Sequence, residues 1–102
     1  MKIIEFTDKA IDAVKSYKNQ LQIPEDYFLR VGVKQKNETN KRLVIGFDTK
    51  TEKDMELEVS GIKVVYSPGE VFFFVGMKID YVELGDRKGF TFVEHKVLAT
   101  WI

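Results

Sequence analysis

The chain has 102 residues, 44% apolar and 13% aromatic, enough to bury the core of a single domain spanning 1–102. Sixteen basic and sixteen acidic residues cancel, which argues against nucleic acid or an anionic membrane as partner, since either calls for a basic surplus. There is no cysteine, so disulfides, thiolate nucleophiles and thiolate metal sites are excluded.

No apolar run approaches the ~20 residues of a membrane-spanning helix. Met1-Lys2-Ile3-Ile4-Glu5 lacks the apolar stretch and small-residue cleavage site of a signal peptide, so the cytoplasm is the expected compartment. Residues 3–6 read as a short strand. Thr7 or Asp8 then caps a helix to about Gln20 or Leu21. Ala10, Ile11, Val14, Tyr17 and Leu21 form its buried stripe, and Pro24 marks its end. Residues 27–34 alternate, with Leu29, Val31 and Val33 on one face and Arg30, Gly32 and Lys34 on the other. Residues 35–41 hold no apolar side chain and read as a hairpin loop. The lysines of Lys34-Gln35-Lys36 and the nearby Lys41-Arg42 read there as a solvated turn rather than a phosphate patch. A strand follows over 42–48, with Leu43, Ile45 and Phe47 inward. After a polar connection over 49–54, Met55, Leu57 and Val59 alternate with acids and serine in a further strand.

Residues 61–92 organise the chain. Ser60-Gly61 turns into a β-branched and aromatic strand over 62–66. Ser67-Pro68-Gly69-Glu70 has the order of a capping box, with proline at the first helical position and glutamate at the third. The apolar run 71–75 is too short for an independent helix. Its three adjacent phenylalanines cannot all point inward, so one is expected to meet another subunit or a nearby sheet. Gly76 can end the turn in the left-handed region. Residues 78–83 alternate again, 85–89 read as a polar turn, and Phe90-Thr91-Phe92 restarts a strand. Short connections favour antiparallel pairing. The expected fold is therefore mainly β (α+β): a distorted antiparallel β-sandwich with one N-terminal amphipathic helix and one short helical turn.

Gly61-Ile62-Lys63-Val64-Val65-Tyr66-Ser67-Pro68 resembles the pattern G-(V/I)-K-V-x-x-(D/S)-P. Gly76-Met77-Lys78-Ile79-Asp80-Tyr81-Val82 is similar to G-x-x-I-D-Y-V, and Gly89-Phe90-Thr91-Phe92 to G-F-x-F. Upstream, Leu29-Arg30-Val31-Gly32-Val33-Lys34 resembles L-R-V-x-V-K, and Gly46-Phe47-Asp48 the close of the next strand. In this order and spacing they resemble the HesB/IscA family of A-type iron–sulfur cluster carriers, over nearly the whole chain. The resemblance implies that fold. It also implies a cluster held by three cysteines, one in a glycine-rich hairpin loop and two in a C-terminal C-G-C. Counting along the pattern puts Glu38 at the first cysteine and Trp101 at the second, and the sequence ends before the third. The ligand set is missing, so no cofactor is expected.

Two readings of function follow. The first is a non-catalytic scaffold or partner-binding protein related to iron–sulfur assembly, with a protein partner or a second copy of itself. The second is mononuclear iron binding through oxygen and nitrogen, using Glu38, Glu94 and His95, although Glu94 and His95 would point to opposite faces of a strand. An enzyme is not expected: His95 is the sole histidine, no nucleophile–base pair is apparent, and strand alternation separates Asp80 from Glu83. The apolar tail over 97–102 is expected to dock on its own domain or a partner, burying Trp101.

Overall fold

The computed structural model describes residues 3–37, 40–93 and 99–101. The first strand, β1 (Ile4–Phe6), leads into helix α1 (Asp8–Gln20). Thr7 caps it: the backbone is extended and the side-chain oxygen accepts from the Ala10 N–H at 3.1 Å. Ala10 and Val14 are buried. Leu21, expected on the buried stripe, is instead the C-terminal cap and is 59% exposed. The stripe is a helical property, and Leu21 lies where the helix has stopped.

Strands β2 (Phe28–Asn37) and β3 (Asn40–Asp48) pair antiparallel from Phe28↔Asp48 to Asn37↔Asn40. The ladder thus runs through most of the expected 35–41 loop. Backbone pairing needs no apolar side chains, and here it satisfies N–H and C=O groups that polar residues would otherwise leave to water. Strands β4 (Met55–Val59) and β5 (Ile62–Tyr66) form a hairpin closed by Ser60 and Gly61, with φ values of 50° and 84°. Both lie in the left-handed region that a twist-matched two-residue turn requires, and glycine adopts it without a Cβ clash.

A 3₁₀ turn (Pro68–Glu70) and the four-residue α2 (Val71–Phe74) follow. Pro68 does open the turn, but the capping box does not form, because Ser67 makes no side-chain cap bond. The Glu70 carboxylate is directed to the sheet instead. A Cβ built on Gly32 would lie 2.6 Å from its Oε2, so the glycine leaves room for it. Gly76, at φ +80°, ends the segment, and its N–H donates to the Ile3 carbonyl at 2.9 Å. Strands β6 (Met77–Leu84) and β7 (Arg87–Phe92) then pair antiparallel, so the expected 85–89 turn shrinks to Gly85 and Asp86. The last described strand is β8 (Thr100–Trp101).

One sheet has the order β1-β6-β7 and the other β4-β5-β2-β3-β8. Both are mixed. The long ladders are antiparallel, as expected, while β1/β6, β2/β5 and β3/β8 are short parallel pairings. Crossover length does not forbid them, because each joins strands far apart in sequence. One core unites the sheets and α1: Ile4, Phe6, Leu29, Val31, Leu43, Ile45, Ile79, Phe90 and Phe92 are all buried, with Ala10 and Val14 from the helix. Phe72 is left 85% exposed on α2.

Candidate functional site

The β2–β3 hairpin and the tail carry the two positions aligned with cluster ligands. Glu38 lies between Asn37 and Asn40 and, like Glu94 and His95, falls outside the described residues. Trp101 is described as backbone. It pairs with Ile45, as Thr100 does with Val44, and so lines the edge of β3 that no other described strand covers. The Ala99 N–H donates to the Phe90 carbonyl at 2.6 Å, fixing the entry of β8.

This pairing sets Trp101 well along β3 from Asn40, the first residue of that strand. Asn40 and Ile45 are five residue steps apart on β3. At ~3.3 Å a step this puts Asn40 about 16 Å along β3 from Ile45, the partner of Trp101. Ligands to one iron must lie within about 2–2.5 Å of it. The donor set fails as well. The chain has no thiolate, and an indole has no lone pair to donate. The residues present do not fit an iron–sulfur cluster. Among the described residues no three His, Asp or Glu side chains are grouped to hold a metal ion.

The strongest polar constellation was not evident from sequence. Arg30, on β2, donates from Nε to Asp48 Oδ2 at 2.7 Å. It also makes a forked contact to Asp54, from Nη1 to Oδ1 at 2.9 Å and from Nη2 to Oδ2 at 2.6 Å. The Thr49 carbonyl accepts from Nη2 at 3.0 Å, and the Thr51 N–H and hydroxyl donate to Asp54. The Arg30 and Asp54 side chains are only 18% and 5% exposed. The guanidinium, followed by the Thr51 N–H, holds the Asp54 carboxyl well below the usual carboxylate range. The same carboxylates hold the Arg30 pKa above its usual value. The one hint in the sequence was an arginine among the outward positions of β2. Its partners are 18 and 24 residues away, beyond any local pattern.

Two further contacts account for residues weighed as acid–base candidates. Asp80 Oδ1 accepts from the Thr7 hydroxyl at 2.6 Å and from the Tyr81 N–H at 2.8 Å. It thereby locks the α1 cap to β6, while Glu83 faces Lys88 across the β6–β7 ladder. The Tyr17 and Tyr81 hydroxyls are 2.7 Å apart beside Phe90. Burial, with the Tyr17 hydroxyl, pushes the Tyr81 pKa up to about 12. These contacts fasten α1 to β6.

Residues 1–99 match the protein family described as iron-sulphur cluster biosynthesis. The mitochondrial iron-sulfur cluster assembly 1 homolog of Dictyostelium discoideum is 27% identical over 100 residues, covering 96% of this chain and 72% of that protein. The solution NMR structure of a protein from Aquifex aeolicus shares 32% identity and a TM-score of 0.69, over 90% of this chain and 91% of that one. The crystal structure of Escherichia coli SufA, a protein involved in biosynthesis of iron–sulfur clusters, has the same fold. It is 21% identical with a TM-score of 0.67, over 87% of this chain and 82% of that one.

Proposed function

The chain belongs to the iron-sulphur cluster biosynthesis family, and from that membership we propose that it serves iron–sulfur assembly as a non-catalytic scaffold or partner-binding protein. In this reading it is one domain, acts in the cytoplasm and holds no resident cluster. The observation that carries the reading is the cysteine-free sequence. Clusters are held by thiolates because soft sulfur donors match the iron–sulfide core. A chain that keeps the fold without those donors retains a surface and not a ligand set. The use of Asp48, Asp54 and Asp80 as fastenings supports a non-catalytic role. Exposed Phe72 on α2 offers an apolar contact to a protein partner or a second copy.

The test is affinity capture from the native host with the tagged chain, read by mass spectrometry. Recovery of iron–sulfur assembly proteins is the expected result, and recovery of unrelated proteins alone overturns the assembly role. Anaerobic reconstitution with iron, sulfide and a thiol-free reductant should leave no charge-transfer absorbance after desalting. A stable brown product with stoichiometric sulfide refutes the cluster-free reading.

A further inference from the structure

We propose that the outer edge of β4 takes up an extended segment of a partner protein. The segment adds antiparallel as a further strand and carries lysine or arginine at alternate positions, with apolar residues between them. The proposal rests on the partner-binding reading and gives it a place and a chemistry. The five-stranded sheet begins at β4, and no other described strand lies along its outer side.

Register decides which backbone groups that edge presents. The two-residue turn Ser60-Gly61 joins β4 to β5, and Val59 faces Ile62 across it. The pair that closes such a turn exchanges both hydrogen bonds, and bonded and non-bonded pairs then alternate along an antiparallel ladder. Val59, Leu57 and Met55 therefore turn their N–H and C=O groups to β5, while Glu58 and Glu56 turn theirs outward. An extended chain is the ligand that matches a row of such groups.

The side chains decide what that chain carries. Leu57 and Val59 pack against the core, yet they are only half-buried, and so is Ile3. All three line a groove of about 490 Å³ between β1 and β4. Each of these strands is the edge of its own sheet, so the core stays uncovered between them. Alternate inward side chains of an added strand fill this groove and bury the three residues. Glu5 and Lys78, also on its wall, face each other across the β1–β6 ladder and cancel.

Glu56 and Glu58 stand on the other face of β4, both exposed. Glu58 faces Lys63 on β5, and the Glu56 carboxylate lies 3.5 Å from the Lys50 ammonium. Cations placed opposite these glutamates on the open side extend the same opposition of charges into a sixth strand. A second copy of β4 does not. In full antiparallel overlap, Glu56 of one chain meets Glu58 of the other, and like charges directly opposite weaken a pair. The edge thus selects a basic strand over itself.

The probe is an acetylated, amidated heptapeptide of alternating lysine and valine. It is titrated into the isotope-labelled protein and followed by amide shifts and hydrogen exchange. Expected are saturable shifts over 55–59 and at Ile3, with slower exchange of the Glu56 and Glu58 N–H groups, which donate to the added strand. The same peptide N-methylated at its lysines keeps its charge and apolar surface but loses the donors that face β4, and it should not bind. Glu58→Lys should weaken binding about tenfold. Asp12→Lys, the same charge change on an exposed position of α1, should leave binding unchanged. Where Glu58→Lys lowers Tm through loss of the Lys63 pairing, the N-methylated peptide still decides the matter on the natural chain. Equal binding of the N-methylated peptide, unchanged exchange at Glu56 and Glu58, or equal weakening by Asp12→Lys overturns the proposal. So does dimerisation of the chain alone that protects the same two N–H groups, because a second copy is then the occupant. Failure of the peptide to bind removes the β4 site and leaves affinity capture to decide the assembly role. Failure of the capture removes the assembly role, while this titration still decides the edge.

Discussion

Asp54 shows how one residue can hold a connection in place. Its carboxylate takes both arms of the Arg30 fork and two donors from Thr51, and so ties the 49–54 connection to the start of β2. Its pKa is depressed in the folded chain from an ordinary 3.8. The stability it contributes is therefore fully present above that value and declines as pH falls below it toward the folded pKa. Urea midpoints measured from pH 5 to pH 2 should fall more steeply for the natural chain than for Asp54→Asn, which cannot titrate. Parallel slopes would show that the fork does not couple protonation to folding. Arg30 was legible in the sequence only as an outward-facing charge, because neither aspartate stands at a spacing that strand geometry connects to it.

Elements were read well where their signals are local. The α1 cap, the Ser60-Gly61 turn, the alternation of β2 and β3 and the β-branched, aromatic make-up of β5 follow from side chains within a few residues of one another. The Ser67 capping box failed because a single 3₁₀ turn packed on a sheet leaves Glu70 a different destination, beside Gly32. Thr7 has two roles, accepting from Ala10 and donating to Asp80 73 residues away. Thr7→Ala should therefore cost about 1–2 kcal/mol in chemical denaturation, combining a lost cap with a lost bond to a charged group. Thr7→Ser should recover most of it. An alanine variant as stable as the natural chain would show that neither bond contributes.

For the whole molecule, the placement of the tail matters most. The family resemblance aligned Glu38 and Trp101 with ligand positions, and β8 sets Trp101 beside Ile45, about 16 Å along β3 from Asn40. Glu38→Cys combined with Trp101→Cys should accordingly fail to assemble a cluster within one chain while β8 stays paired. Anaerobic reconstitution followed by iron and sulfide analysis checks this, and a stoichiometric cluster in the monomeric fraction would show that the tail leaves β3. The sequence by itself determined the absence of thiolate chemistry, because composition needs no coordinates. It also determined the family and the main strands, because the motifs and alternation that carry them are contiguous. Only the tertiary structure decided which distant strands lie side by side, where the tail sits and how Arg30 is satisfied. Each of these depends on the register between segments far apart in the chain, and side-chain spacing along one segment carries no record of it.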